Sequence, residues 1–294
     1  MSKVASRLFT FFVGVPLMIG IVMWPSLNHL PLHLVLILAA SVGASELHDI
    51  FAVNHKLLPI KFLVCCSAFI ATVAALFAVL PAIFNFNHPY GQEIITFAYI
   101  LVLLLILVLE VFTAPDFKDS LDKIATSAFV ITYTGFLLTF ISRMTIWQMN
   151  GTSITTPCIC IFLLMVFFTD SIAWFFGVLL GKSTRGLVKA SPNKSLVGFF
   201  GGLLGAAGAG VIGYFIWQDL FEGGLVKLIV TGVLIAFSSI VGDLAESVFK
   251  RSAGVKDSGN IIPGRGGMLD SLDSIVMSAP IFYILFSIFF GPFN

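Results

Sequence analysis

The chain has 294 residues, of which 58% are hydrophobic and 11% are charged, and its mean hydropathy is +1.04. Soluble globular domains carry roughly 25% charged residues, so this composition excludes an ordinary soluble protein and predicts an integral membrane protein. The net charge of +1 gives no overall attraction to nucleic acid, which is therefore not expected as a partner.

Apolar runs of membrane-spanning length recur along the whole chain. A helix needs about 20 mainly apolar residues to cross the hydrocarbon core of a bilayer. Nine runs approach this length, which predicts an all-α, polytopic membrane protein of about nine transmembrane helices. Because the spans use nearly all of the chain, we predict a single membrane-embedded domain over residues 1–294. The runs are 8–25, 31–52, 60–84, 94–113, 121–142, 157–180, 196–217, 225–248 and 271–291.

Lysine and arginine are distributed unevenly between the connections. If the N-terminus is cytoplasmic, 14 of the 16 basic residues lie on the cytoplasmic side, and only Arg143 and Lys227 lie outside. Short cytoplasmic loops are enriched in lysine and arginine, so this bias supports the span count and predicts a cytoplasmic N-terminus. The two longest basic connections, 181–195 and 249–270, then both face the cytoplasm.

The first outer connection, at residues 28–33, contains His29 and His33 four residues apart. On a helix this spacing could offer two ligands to a metal ion. Pro31 lies between the two histidines and argues against a helical pair. We therefore interpret both as anchors at the membrane interface.

Several carboxylates fall inside the predicted spans, where a central charge costs at least about 2.5 kcal/mol. Glu46, Glu110, Asp243 and Glu246 lie near cytoplasmic ends and could be interfacial. Asp170 lies deeper, about 15 Å from the cytoplasmic end of its helix, and should face a polar cavity. Asp243 and Glu246 share a helix face because they are three residues apart. The sequence therefore predicts a cytoplasm-facing cavity surrounded by acids and lysines.

The seventh span is rich in glycine. Small residues spaced by three or four allow helices to pack closely in lipid. We interpret the run as a packing surface, because no strand precedes it as a dinucleotide-binding fingerprint would require. The glycines are Gly198, Gly201, Gly202, Gly205, Gly208 and Gly210.

Residues 247–273 hold the densest group of charges, glycines and hydroxyls in the chain. Cations, carboxylates and closely approachable backbone N–H groups are what a polyphosphate and a divalent metal require. Asp270 and Asp273 are three residues apart, so on one helix they could bind one Mg²⁺ or bridge two. The alternative is a polar loop followed by an acidic first helical turn. The cations are Lys250, Arg251, Lys256 and Arg265, and the other groups include Asp257, Gly264, Gly266 and Gly267.

These residues resemble the signature of the phosphatidate cytidylyltransferases, or CDP-diacylglycerol synthases. A second stretch of that family is similar to residues 170–202, while the first five spans resemble the family only in hydropathy. The signature matches are Ser247, Phe249, Lys250, Arg251, Lys256, Asp257, Gly259, Ile262, Pro263, Gly266, Gly267, Met268, Asp270, Leu272 and Asp273. The matches of the second stretch are Asp170, Ala173, Trp174, Gly177, Ser191, Pro192, Lys194, Ser195, Gly198, Gly201 and Gly202.

Three positions depart from the family pattern. Arg265 stands where the signature has histidine, Ser271 where it has arginine, and Val197 where the second stretch has glutamate. Our hypothesis is that Arg265 restores the cation that is missing at Ser271. The acids and lysines of the pattern are present, so an active enzyme is expected.

The resemblance implies transfer of a cytidylyl group from CTP to phosphatidate, which gives CDP-diacylglycerol and pyrophosphate in phospholipid synthesis. It also implies dependence on Mg²⁺, with a second divalent ion or K⁺ beside it, and a homodimer with the glycine-rich span as a candidate contact. The catalytic region would be the helices at 157–291, with helices before residue 150 as the N-terminal part. We expect a multi-pass protein of a bacterial cell membrane, among membrane lipids, with its active site facing the cytoplasm.

The same resemblance suggests roles for individual residues. Asp243, Asp270 and Asp273 would bind the metal and, with Lys250, form the catalytic group. Asp170 and Glu246 would line the cavity. Asp257 would orient a lysine. The remaining substrate-binding residues would be Lys194, Ser195, Ser247, Arg251, Lys256, Arg265, Gly266 and Gly267.

Two alternatives remain open. The acceptor could be another lipid phosphate with the same cytoplasmic site. A transporter is the second alternative, because acids within spans and glycine-rich helices also mark substrate pathways. A transporter would carry polar residues through to the far side, whereas this chain concentrates them on one side.

Overall fold

The computed structural model describes residues 10–84, 91–149, 151–186 and 188–291. Within these ranges the fold is built from α-helices, joined by short π and 3₁₀ turns and one antiparallel pair of two-residue strands. The helices are α1 Val15–Val22, α2 Ser26–Phe51, α3 Ile60–Phe84, α4 Glu93–Thr113, α5 Ser120–Ile131, α6 Thr139–Met144, α7 Thr155–Leu179, α8 Leu196–Ile216, α9 Leu225–Ser252 and α10 Leu269–Phe290. The strands are β1 Gln148–Met149 and β2 Thr152–Ser153.

Eight helical segments of the described ranges are long and apolar enough to cross a membrane. They are α2, α3, α4, the stretch Ser120–Met144 that includes α5 and α6, and α7 to α10. The predicted all-α, multi-pass membrane fold is thereby confirmed. The first predicted run, 8–25, lies partly outside the described residues and contains the short helix α1, so the count of nine spans and the side of the N-terminus stay predictions.

The described residues group into two compact units. The first unit contains those of Met1–Ile146 together with Ser252–Ser271, and the second contains those of Trp147–Arg251 together with Leu272–Asn294. The first unit therefore includes the glycine-rich connection between α9 and α10. The prediction of one domain over 1–294 stays a prediction.

In the first unit α2 packs along α3, and the stretch after α5 packs against both. A π turn at Thr132–Phe136 interrupts this stretch and turns Gly135 toward α3. A Cβ atom on Gly135 would lie 3.0 Å from the Cα of Ser67. Thr134 and Ser67 also join their hydroxyls at 3.1 Å, so the π turn allows a close, hydrogen-bonded helix contact.

The two histidines of the first outer connection are buried, not interfacial. His29 is 1% exposed and His33 is 0% exposed. The His33 ring lies 3.2 Å from the hydroxyls of Ser142 and Thr145 and 3.1 Å from the carbonyl of Asn28. The interpretation of both histidines as interface anchors is therefore wrong.

The physical reason is an early and distorted start of α2. This helix begins at Ser26 instead of residue 31, and Leu27, Asn28 and His29 have positive φ angles of 52°, 51° and 63°. Such a left-handed turn in non-glycine residues cannot be inferred from composition. It places both histidine rings in the interior of the first unit.

In the second unit α7 and α8 form the most extensive helix pair, as the glycine-rich sequence of α8 predicts. A Cβ atom on Gly205 would lie 2.6 Å from the carbonyl oxygen of Phe168 in α7, and one on Gly210 would lie 2.6 Å from that of Leu228 in α9. Gly208 is the exception, with nothing within 4 Å of its Cβ position. The glycines of α8 therefore act mainly as a packing surface for two neighbouring helices.

Candidate active site

Four carboxylates of the second unit form an acid cluster, which we define as Asp170, Asp243, Glu246 and Asp273. Asp273 in α10 is 9% exposed, and the negative charges of the other three act on its carboxylate. Its Oδ1 accepts the backbone N–H of Ser274 at 2.6 Å. Because like charges repel strongly at low dielectric, the buried members of this cluster, Glu246 and Asp273, favour a cation nearby.

A close helix contact brings the acid cluster together. A Cβ atom on Gly242 in α9 would lie 2.6 Å from the backbone carbonyl of Asp273 in α10. Asp243 follows Gly242 directly and Glu246 lies one turn later. The glycine thus allows the acids of α9 to approach Asp273.

Two lysines are paired with the acid cluster. Lys194 Nζ lies 2.6 Å from Asp243 Oδ2, and Lys250 Nζ lies 2.5 Å from Glu246 Oε2. The Glu246–Lys250 pair follows from their spacing of four residues in α9, whereas Lys194 comes from the connection before α8. The predicted cavity surrounded by acids and lysines stays a prediction.

The connection before α8 positions Lys194. Ser195 is the N-cap of α8, and its Oγ accepts the backbone N–H of Gly198 at 3.0 Å. Ser195 is 2% exposed, so its oxygen primarily stabilises the start of the helix. Ser247 is also buried, one residue after Glu246. Roles of the two hydroxyls in binding a substrate stay predictions.

Asp170 lies on α7 and lines a cavity of about 520 Å³. The remaining lining is mostly apolar and includes Trp174 and Phe175, which are 69% and 48% exposed. An acid beside exposed aromatic rings within a membrane span is a suitable border between a polar site and lipid chains.

The glycine loop, which we define as residues 253–268, belongs to the first unit. Its tip is closed by two backbone hydrogen bonds between Ile262 and Gly266, of 2.8 and 3.1 Å. Gly266 has a φ of 114°, and a Cβ atom there would lie 2.5 Å from Asp270 Oδ2. Only glycine fits this position without strain.

Asp270 stabilises the glycine loop. Its Oδ2 accepts the backbone N–H groups of Ser258 and Gly267, both at 2.8 Å, and lies 3.0 Å from Ser258 Oγ. The N–H of Gly267, which we predicted to line the substrate site, is therefore bound to Asp270 in this structure. Lys256, Asp257 and Arg265 are exposed on the same loop.

Glu46 in α2 is a residue of this site that the sequence analysis missed. Its Oε1 accepts the N–H of Met268 at 2.8 Å, and its Oε2 accepts that of Leu269 at 2.9 Å and lies 3.0 Å from Ser258 Oγ. Glu46 is 6% exposed, and its carboxylate is satisfied by these hydrogen bonds. The only signal in the sequence was a carboxylate inside an apolar span.

Comparison with known proteins identifies the family. The model of the cytidylyltransferase family matches residues 5–289. The chain belongs to the cytidylyltransferase family. The resemblance inferred from the motifs is therefore confirmed.

Individual members of the cytidylyltransferase family match a part of the chain. A phosphatidate cytidylyltransferase of Helicobacter pylori is 42% identical over 123 residues, which are 42% of this chain and 44% of that protein. The enzymes of that name from Staphylococcus epidermidis and Thermotoga maritima are 45% and 38% identical, each over 42% of this chain and 46% of their own length. The chain thus spans less than half the length of the curated relatives that it matches.

The three departures from the family pattern lie in different surroundings. Arg265 is exposed at the tip of the glycine loop, and Val197 is partly buried in the first turn of α8. Ser271 Oγ is buried without a hydrogen-bond partner among the described residues. The hypothesis that Arg265 replaces the cation missing at Ser271 stays a prediction.

The donor set of the acid cluster fits a hard divalent cation. Mg²⁺ prefers carboxylate oxygens and usually uses only one or two of them, with the rest of its shell left to water and phosphate. Asp243 and Asp273 lie together in the second unit, whereas Asp270 belongs to the first. No three His, Cys, Asp or Glu side chains of the described residues are grouped closely enough to hold a metal alone. The predicted metal role of Asp243, Asp270 and Asp273 stays a prediction.

Proposed function

We propose that this protein transfers the cytidylyl group of CTP to phosphatidate, which gives CDP-diacylglycerol and pyrophosphate. One observation carries the proposal beyond family membership. The ion pair between Lys194 and Asp243, at 2.6 Å, joins the second family stretch to α9, the helix on which the signature begins. Lys194 of the second stretch therefore lies beside the charged residues of α9, four residues before Ser247, where the signature begins.

The proposed reaction joins two anions and releases a third. An oxygen of the lipid phosphate forms a bond to the α-phosphorus of CTP, while the bond from that phosphorus to the bridging oxygen breaks and pyrophosphate leaves with the electron pair. Phosphatidate is ionised at neutral pH, so no general base is required. Positioning and charge neutralisation then supply most of the rate enhancement.

Lys194 and Lys250 are suited to bind the phosphates in this reaction. Each ammonium is held by a carboxylate at its present position, which orients it before a nucleotide arrives. A phosphate oxygen can then share the ammonium through a charge-assisted hydrogen bond. Lys256, Arg251 and Arg265 are exposed cations that we propose as further contacts to substrate.

We further propose that Asp243 and Asp273, with Asp270 as the third predicted ligand, hold Mg²⁺. When bound, this ion would supply positive charge to the attacking and leaving oxygens. Asp273 is the best-placed acid for this role because it is buried and the charges of Asp243, Glu246 and Asp170 act on it. We also propose, from the family resemblance alone, that K⁺ takes part in the reaction and that the protein forms a homodimer.

We propose that the site faces the cytoplasm of a bacterial cell. The basic connections at 181–195 and 249–270 lie on one side in the predicted topology, and CTP is a cytoplasmic nucleotide. The cavity beside Asp170 suggests that the lipid approaches sideways while its acyl chains remain in the leaflet.

The test is conversion of labelled CTP by the purified full chain in detergent with phosphatidate and Mg²⁺. A labelled, chloroform-soluble CDP-lipid is expected, and it should be lost with EDTA or without phosphatidate. Folded protein that gives no product with phosphatidate contradicts the proposal. Product formed only with another lipid phosphate would instead identify a different acceptor, for which the three departures from the family pattern provide a reason.

A further inference from the structure

Glu46 belongs to neither family stretch, and the proposed chemistry does not use it. It is separated from the glycine loop by more than 200 residues of sequence, yet its carboxylate binds Ser258 within that loop and Met268 and Leu269 where the loop meets α10. Leu269 is the first residue of α10. A buried carboxylate that accepts the first N–H groups of a helix is stabilised there by the helix dipole.

The hydroxyl of Ser258 couples Glu46 to Asp270. Ser258 Oγ lies 3.0 Å from Glu46 Oε2 and 3.0 Å from Asp270 Oδ2. A hydroxyl has one proton and can donate to one of the two carboxylates at a time. The other carboxylate keeps its backbone donors, which are Leu269 for Glu46 and Gly267 for Asp270. The three side chains therefore form one hydrogen-bonded unit, which we call the loop clasp.

Two glycines of the signature make space for the Glu46 carboxylate. A Cβ atom on Gly259 would lie 2.6 Å from Glu46 Oε1, and one on Gly267 would lie 2.5 and 2.6 Å from its two oxygens. No side chain fits at either position while Glu46 stays in place. The requirement for glycine at these two positions therefore follows from the position of the Glu46 carboxylate and does not depend on a bound ligand.

We propose that Glu46 is a positioning residue for nucleotide binding. Through the loop clasp it fixes the conformation of the glycine loop and so the placement of Lys256 and Arg265, the loop cations that would meet the phosphates of CTP. The effect on CTP rests on the proposed function, whereas the effect on the loop does not. Glu46 itself touches no reacting atom.

The first test variant is Glu46→Gln, which preserves shape but replaces one acceptor oxygen by an N–H donor. That donor would face the N–H of Leu269 or Met268, so at least one bond of the clasp is lost. The matched control is Glu110→Gln. Glu110 is also a buried carboxylate of a span in the first unit, 4% exposed, but its described partners are Lys123 and Ser120.

Two measurements separate a positioning role from general destabilisation. The first is the rate of trypsin cleavage after the exposed Lys256 and Arg265 in detergent, followed by mass spectrometry. The second is the KM for each substrate, CTP and phosphatidate, measured separately so that an effect on CTP alone can be recognised. For Glu46→Gln we expect cleavage at least about fivefold faster and a KM for CTP raised about tenfold, equivalent to about 1.4 kcal/mol, with the KM for phosphatidate within about twofold. Glu110→Gln should change neither.

Unchanged cleavage and unchanged KM for CTP in Glu46→Gln would overturn the proposal, as would equal effects in Glu110→Gln. If Glu46→Gln does not fold, Ser258→Ala tests the proposal instead, because it removes only the bridging hydroxyl. It should show the same changes at about a third of their size, and wild-type behaviour would overturn the proposal. A wild-type protein that makes no CDP-lipid refutes the proposed function, and the cleavage rates then decide the role of Glu46 in the loop separately.

Discussion

The loop clasp of the first unit and the acid cluster of the second use carboxylates in opposite ways. In the loop clasp, Glu46 and Asp270 accept hydrogen bonds from backbone N–H groups and from Ser258. In the acid cluster, Asp273 is surrounded by other acids, and the described partners of Asp243 and Glu246 are lysines. Glu46 in the loop clasp and Glu246 and Asp273 in the acid cluster are buried.

The difference lies in what satisfies each negative charge. Neutral donors stabilise the acids of the loop clasp, so these acids can organise the backbone without a cation. The acids of the cluster repel one another, and Asp243 and Glu246 are each paired with the ammonium group of a lysine. The two groups of acids thus differ in the partners that satisfy their charge, and the proposed difference in their roles can be tested.

The largest effect is expected for Asp273→Asn in the acid cluster. Because this change removes a buried charge that would bind Mg²⁺, kcat should fall by at least about 100-fold. The measurement is CDP-lipid formation at saturating CTP, with Mg²⁺ varied. Asp219→Asn, at an exposed acid of the same unit, is the control and should retain activity. A folded Asp273→Asn protein with normal turnover would refute the metal assignment.

The next effect is expected for Lys194→Met. The variant loses a charge-assisted bond to phosphate and leaves Asp243 without its described lysine, so kcat/KM for CTP should fall about 30-fold, or about 2 kcal/mol. Lys194→Arg should keep part of the activity because it retains the charge. The control is Lys189→Met, at an exposed lysine of the same connection. Similar activities in the two methionine variants would contradict the role of Lys194.

A smaller effect, on stability alone, is expected for Gly205→Ala. Its new methyl group would lie 2.6 Å from the carbonyl of Phe168, so α7 and α8 must move apart at a cost of about 1–3 kcal/mol. Thermal unfolding in detergent should shift downward by several degrees. Gly208→Ala is the matched control, because nothing lies within 4 Å of its Cβ position, and alanine should be neutral or stabilising there. Equal melting temperatures would show that this helix contact is not tight.

The smallest effect is expected for Arg265→Ala. This side chain is exposed on the glycine loop, and an exposed charge contributes about 1 kcal/mol or less. We expect a rise of about threefold in the KM for CTP that becomes smaller at high salt. Lys118→Ala, at an exposed lysine of another connection, should show no change. An Arg265→Ala enzyme with unaltered CTP affinity would end the hypothesis that Arg265 replaces the missing arginine.

The helices could be predicted well because membrane spans are long apolar runs with few alternatives. The predicted runs 60–84 and 196–217 agree with α3 and α8 to within one residue. The start of α2 could not be predicted, since it depends on three residues with positive φ. Burial of His29 and His33 follows from that local geometry, which hydropathy does not describe.

The candidate site could be predicted only in part. The ion pair between Lys194 and Asp243 was not predicted, because Asp243 precedes the signature, which begins at Ser247. The spacing of Asp270 and Asp273 suggested a shared role, yet Asp270 is engaged by Ser258, twelve residues earlier. The contacts of Glu46 could not be predicted from the spacing of residues in the sequence. Its partners lie more than 200 residues away, and backbone N–H donors leave no trace in a sequence.

The bound N–H of Gly267 has a consequence for the entropy of the loop. Glycine-rich segments lose more conformational freedom on ordering than other segments, at a cost of about 1–2 kcal/mol per residue. A ligand that had to order such a loop would lose part of its binding free energy to that cost. Here the bonds from Glu46 and Asp270 impose the order when the protein folds. The nucleotide would therefore bind a loop that is already ordered. Almost none of the free energy of its contacts with the loop would then be lost to ordering the backbone.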